Sequence, residues 1–295
     1  MNRRQILVPL KCGRDVCYDE YGDPEGAPVF FCHGWPSSRT LGLLADEAGC
    51  DAGVRIISPD RPGISRSAFE PKRKLLDWPP IVREMADGLG INQFRVMGIS
   101  GGAPYAFATA WAMPDRVSAV AIVSGAPPIT ELKDRNGLWK LYRWMLAANE
   151  KFPRFSRAAF GLAQPFGIMG VPIRLRPLLL KFLHPCDAEV MREAALFNIF
   201  FESQRHAWGG SRGGVLADAR MFAQPWGFRL EEIKVPVRIW HGKQDRSFSP
   251  EVAEYVAARL PNCELRIVDK TGHYSLPVRH MREILEDLHA TGRSD

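Results

Sequence analysis

Short, nearly continuous apolar runs recur along the chain at residues 28–32 (PVFFC), 54–58, 94–97, 117–123, 235–240 and 263–268. A strand with one face in water alternates apolar and polar residues, whereas a run apolar at successive positions has both faces covered. Between these runs lie stretches of helical character, at residues 40–48, 76–89, 104–113, 250–260 and 278–288. Such alternation predicts a mostly parallel sheet with helices on both faces, because parallel neighbours need a crossover connection. Two further strand-like stretches open the chain, residues 5–10 and 16–21, split by the turn Cys12-Gly13-Arg14. They read as an antiparallel hairpin and bring the expected α/β sheet to eight strands.

Helix starts carry their usual chemistry. The helix within 76–89 is expected to begin near Pro79-Pro80, because proline is favoured in a first turn. Ser249 reads as an N-cap with Pro250 in the first helical position. The alternation stops between residues 127 and 225. Aromatic-rich helical segments replace it, at 137–150, 152–162, 177–183 and 187–201. Breaks are expected at Gln164-Pro165, Gly170-Val171-Pro172, His184-Pro185 and the glycine-rich 209–214. The reading is therefore a core, 1–126 and 226–295, interrupted by a helical insertion, 127–225. Trp139, Tyr142, Trp144, Phe152, Phe155, Phe160 and Phe166 read mainly as the insertion's own core.

In an open parallel sheet, ligands bind outside the carboxyl ends of the strands. The residues following each run are His33-Gly34-Trp35, Asp60-Arg61, Ser100, Gly125-Ala126, Asp245 and His273. Ser100 stands in Gly98-Ile99-Ser100-Gly101-Gly102 at a strand-to-helix junction. A serine on so tight a turn projects its hydroxyl above the sheet, and side chains at the flanking glycines would strike the neighbouring strand and helix.

These stretches, HGWP at 33–36, DRPGISRS at 60–67, GISGG at 98–102, HGKQD at 241–245 and GHY at 272–274, resemble the α/β-hydrolase fold superfamily, in its cap-bearing branch. The resemblance covers nearly the whole chain, and the insertion at 127–225, which would be the cap, is least constrained by it. It implies that Ser100 is a nucleophile, His273 its general base and Asp245 the acid that orients the base. It also implies an oxyanion hole from the backbone N–H groups of Trp35 and Gly101. The chain order Ser, Asp, His suits such a triad. Asp60 is assigned to shaping its loop, and Asp269 lies too near His273 along the chain to be its natural partner. The strand before the insertion ends in Ser124-Gly125-Ala126-Pro127, with no acid to compete with Asp245. His33 and His241 read as structural, while His184, His206, His280 and His289 fall in the insertion or the closing helix. Trp35, Trp139, Tyr142 and His206 are the expected lining of a substrate pocket.

The implied activity is hydrolysis of a small or medium, largely apolar carboxylic ester through an acyl-enzyme, without a cofactor. HGWP also resembles cofactor-free haloperoxidases (perhydrolases) of the same fold. Lactonase and amidase chemistry, and a slow-turnover ligand receptor, are further alternatives. Epoxide hydrolases and haloalkane dehalogenases are disfavoured, since those relatives carry Asp where this chain has Ser100. No His/Cys/Asp/Glu cluster shows metal-ligand spacing. The net charge of +6 has no basic run longer than Lys72-Arg73-Lys74, so no nucleic-acid partner is expected. No apolar run is long enough to span a membrane, and residues 1–15 lack the apolar core of an export signal. A cytoplasmic protein with its six cysteines reduced and mostly buried is the expectation.

Overall fold

The structure is a computed structural model describing residues 4–169, 175–211 and 213–291, with the side chains of Pro153, Arg157 and Phe160 excepted. An eight-stranded sheet runs in the order β1-β2-β4-β3-β5-β6-β7-β8. The strands are β1 (Ile6–Pro9), β2 (Asp15–Gly22), β3 (Ala27–Cys32), β4 (Val54–Pro59), β5 (Phe94–Ile99), β6 (Val117–Val123), β7 (Val237–Gly242) and β8 (Cys263–Val268). β1 pairs antiparallel with β2, and β2 antiparallel with β4. Every pairing from β4 to β8 is parallel.

The apolar runs have the predicted cause. Along β3, Phe30 faces one buried layer while Val29 and Phe31 face the other. In β5, Val96 serves the first layer and Met97 and Ile99 the second. The first layer is closed by α2 (Trp78–Gly88), α3 (Ala103–Ala112) and α10 (Pro250–Ala257). The second is closed by α11 (Ser275–Thr291), through Leu276, Ile284, Leu285 and Leu288. A strand inside such a sandwich has no solvated face to carry polar residues.

Several expectations change. Residues 39–45 form a 3-10 turn, and only Asp46–Asp51 is α-helical (α1). Gly42 is pressed against β2 and β4 there: a Cβ would come within 2.8 Å of the Tyr21 ring and 3.0 Å of Ser58. β7 starts at Val237 rather than 235, and Pro236 has no N–H to give a ladder. Ser249 occupies the N-cap position of α10, but its side chain makes no capping bond. All six cysteines are free, yet only Cys17 and Cys32 are buried; Cys12 and Cys50, in the β1–β2 turn and at the end of α1, are exposed.

Between β6 and β7 the chain forms α4 (Lys140–Lys151), α5 (Pro153–Met169), α6 (Arg176–Leu180), α7 (Pro185–Val190), α8 (Ala194–Trp208) and α9 (Gly214–Phe222). α5 runs through Pro165 instead of breaking there. The helix expected over 187–201 is two, α7 and α8. α9 was hidden behind the glycine-rich stretch at its start. The expected break at 170–172 lies outside the described residues, as does the Phe160 side chain. Of the aromatics expected as this segment's core, Tyr142 packs against the buried Ile129, Leu138 and Phe248, but four others are not so placed. Trp144, Phe152, Phe155 and Phe166 are 63%, 62%, 64% and 70% exposed. On α5, Ser156 is buried and Gly167 lies against the Trp208 ring of α8, while these large apolar groups face outward. No helix among the described residues is long and apolar enough to cross a membrane.

Candidate active site

Ser100 sits where β5 meets α3, with φ of 51°, in the left-handed region that costs a non-glycine residue about 1–2 kcal/mol. The turn is forced by contact on both sides. A Cβ on Gly98 would lie 2.9 Å from Ala106 and from the Gly102 carbonyl. A Cβ on Gly102 would lie 1.9 Å from the Cys32 carbonyl oxygen at the end of β3. Backbone cannot yield as a side-chain tip can. Gly102→Ala is therefore expected to lose stability at the upper end of the roughly 1–3 kcal/mol typical of overpacking. A urea melt with an unchanged midpoint would contradict this.

Two loops from further along the sheet meet Ser100. His273, between β8 and α11, places Nε2 3.0 Å from Ser100 Oγ. Its Nδ1 lies 2.8 Å from Oδ2 of Asp245, which follows β7. Asp245 Oδ1 in turn accepts from the backbone N–H groups of Ser247 (2.7 Å) and Phe248 (3.1 Å). The carboxylate is thus fixed before it meets the imidazole. Burial disfavours the His273 cation, but the charge and hydrogen bond of Asp245, with a smaller effect of Asp187, outweigh it and hold the pKa above the ordinary 6.5. Burial would raise Asp245, yet the His273 contact keeps it below its usual value. His241 Nε2 lies 2.9 Å from the Phe248 carbonyl oxygen, and burial pushes its pKa down, so it stays neutral beside Asp245.

The other sequence candidates are distributed as follows. Asp60 pairs with Arg39, which also holds Asp19, at 2.7 and 2.9 Å. Burial pushes Asp60 up to about 6 despite that cation. Asp269 is exposed and paired with Lys243. His33 is buried beneath Gly34, with its pKa driven down by burial and by Arg61. Trp35 and Gly101 approach closely: a Cβ on Gly101 would lie 2.8 Å from Trp35 Cβ and 3.1 Å from its backbone nitrogen.

A cavity of about 80 Å³ opens over Ser100 and Gly101. Trp35, Phe222 and Phe248 line it from the sheet side and α9. α4 contributes Tyr142, Met145, Leu146 and Asn149, and Arg220 adds a second polar group. Trp139 and His206, two of the expected lining residues, do not reach it. Trp139 stacks edge-on against Tyr142 from behind, at 5.5 Å between ring centroids. His206, in α8, is half-buried away from it.

The loop carrying Trp35 is held by Arg61, which the sequence placed at a strand end without a role, and by Asp218, Tyr105 and Val215, which sequence reasoning left out. Arg61 donates to the carbonyl oxygens of His33 (2.5 Å) and Gly34 (2.7 Å), and its Nε to Asp218 at 2.8 Å. Asp218, on α9, also accepts from Tyr105 of α3 at 2.9 Å and from Arg73. Trp35 Nε1 donates to the Val215 carbonyl of the same helix at 2.9 Å. The signal was present: Gly214, Val215, Asp218, Met221 and Phe222 recur at helical spacing, but with an acid on the inner face.

A family model for the alpha/beta hydrolase fold matches residues 27–279. The chain belongs to that family. Among curated relatives of this α/β hydrolase, a bifunctional esterase/perhydrolase (DCH) from Acinetobacter calcoaceticus is 28% identical over 298 residues, covering 97% of this chain and 99% of that one. A non-heme chloroperoxidase from Streptomyces lividans is 31% identical over 174 residues, 54% of this chain. The chain spans only 58% of that chloroperoxidase's length, and 31% of that of a Mycobacterium tuberculosis epoxide hydrolase B. Among solved structures, a thermophilic esterase from Thermogutta terrifontis has the same fold, with a TM-score of 0.69 at 19% identity over 98% of this α/β hydrolase and 100% of that chain.

Proposed function

We propose that this α/β hydrolase is a serine hydrolase that cleaves small or medium, largely apolar carboxylic esters through an acyl-enzyme. The observation that supports this most is the unbroken relay Asp245–His273–Ser100, ending in a serine that lines an apolar cavity. Serine is a weak nucleophile until a base removes its proton. His273 takes it as Ser100 Oγ attacks the ester carbonyl, and Asp245 stabilises the resulting imidazolium. The backbone N–H groups of Gly101 and Trp35 face the tetrahedral oxyanion, where one such donor is worth about 3 kcal/mol. His273 returns the proton to the departing alcohol, then activates water to release the acid. The segment 127–225 acts as a cap, and α4 and α9 bound the acyl pocket.

Hydrogen peroxide in place of that water gives a peracid. The full-length similarity to an esterase/perhydrolase supports this second reading. The test is steady-state turnover of a p-nitrophenyl ester series, with and without peroxide, and the pH dependence of kcat/KM. Only neutral His273 accepts a proton. Its pKa is held above 6.5, so the rate is expected to fall as pH drops through a midpoint above 6.5, higher than a free histidine would give. A profile flat from pH 5 to 8, or no multiple turnover on any ester, would sink the reading.

A further inference from the structure

Asp187 is outside the relay, in α7, and 86 residues from His273 along the chain. Its carboxylate is nonetheless buried against the His273 turn. Oδ2 accepts from the His273 backbone N–H at 3.0 Å. Oδ1 accepts from the N–H groups of Tyr274 (3.0 Å) and Ser275 (2.8 Å) and from the Ser275 hydroxyl (2.7 Å). Those N–H groups belong to the turn that leads into α11 and to its first residue, where a helix start supplies no intrahelical acceptors. A helix usually satisfies them with the residue just before it. Here one carboxylate from a distant helix does so, and its charge sits at the positive end of α11. The turn is shaped around it: a Cβ on Gly272 would come within 2.5 Å of Asp187 Oδ2. α7 is fastened to α11 a second time by Arg279 and Glu189, at 2.7 Å.

Resting on the proposed function, we propose that Asp187 is a positioning residue for the general base, its carboxylate clamping the His273 backbone from the helical segment. The Nε2–Oγ distance of 3.0 Å requires the His273 Cα to stay where it is. Asp245 fixes the ring through Nδ1, and Asp187 fixes the backbone that carries it. The groups facing the imidazole are Asp245 from the β7 loop, Ser100 from the elbow and the rings of Phe248 and Tyr274, while the Asp187 charge lies behind it at the His273 backbone N–H. His241 stands behind Asp245 and is held neutral by burial.

Asp187→Asn keeps the shape, but its amide group confronts backbone donors with a donor. The expected result is a fall in kcat of about 10- to 100-fold with KM changed less than about twofold, the scale of a misplaced catalytic group. Losing the charge should also move the kcat/KM midpoint to lower pH. Glu189→Ala loosens α7 on α11 without touching the clamp, and should leave kcat within about twofold. Gly272→Ala pushes on the carboxylate without removing it and should reproduce the kcat loss, which covers the case in which Asp187→Asn does not fold. Wild-type kcat in either folded clamp variant, or an equal loss in Glu189→Ala, would overturn the proposal. If the wild type turns over no ester, the hydrolase reading fails by itself. The clamp is then read by NMR titration of the His273 ring, expected to move down in Asp187→Asn; an unmoved titration would again overturn it.

Discussion

Ser100→Ala is expected to cut multiple-turnover ester hydrolysis by at least about 10⁴-fold, the scale seen when a serine nucleophile acting in a triad is removed. The side chain is nearly buried, and alanine fits the same space with one oxygen fewer. The fold should therefore be intact, with a melting temperature close to that of the parent. Apolar esters should still bind, because the cavity walls from Trp35, Tyr142, Phe222 and Phe248 are unaltered. Two measurements check this: initial rates on a p-nitrophenyl ester, and protection of the cavity by a non-hydrolysable analogue. Turnover retained in the variant would mean that the chemistry lies elsewhere, and the relay geometry would then be a structural feature only.

The largest stability effect is expected from Asp218→Ala. Its carboxylate is fully buried and pairs with both Arg61 and Arg73 while accepting from Tyr105. Burial would raise its pKa, but the two guanidinium groups hold it down at about 2. Removing it leaves two buried cations with a lost partner, a change that typically costs about 3–5 kcal/mol. Because its pKa is depressed in the folded state, its contribution is fully present above the ordinary carboxylate value of 3.8 and is lost as pH falls toward about 2. The stability deficit of the variant, measured by urea melts, should therefore be constant near neutral pH and shrink below about pH 4. Activity should fall beyond the stability loss, since Arg61 also holds the carbonyl groups of His33 and Gly34 beneath the Trp35 loop. A deficit below about 1 kcal/mol would mean that the arginines find new partners.

Much of the core was legible because its signals are local. A strand covered on both faces must be apolar at successive positions, so residues 28–32 and 117–123 declare themselves without knowledge of their neighbours. The glycines around Ser100 declare themselves for a related reason, since no side chain fits beside the Cys32 carbonyl or Ala106. The parallel arrangement then brings strand ends to one edge, and Ser100, Asp245 and His273 meet there. Between β6 and β7 that logic weakens. A helix in this segment buries its face against whatever the core presents, and apolar residues on it face inward or outward with similar spacing. Trp144, Phe155 and Phe166 were assigned to an interior and lie outside, and Trp139 and His206 miss the cavity that Tyr142 reaches.

The sequence by itself determined the sheet, the sharp turn at Ser100 and the order in which serine, acid and histidine leave their strands, because each depends on residues adjacent in the chain. Only the tertiary structure decided which groups hold them. Asp187 and Asp218 sit 86 and 157 residues from the backbone and guanidinium groups they bind. Each is an acid within a helix, where a carboxylate's ordinary place is solvent. Its burial becomes favourable only when partners from other elements close around it, and no local pattern records that event.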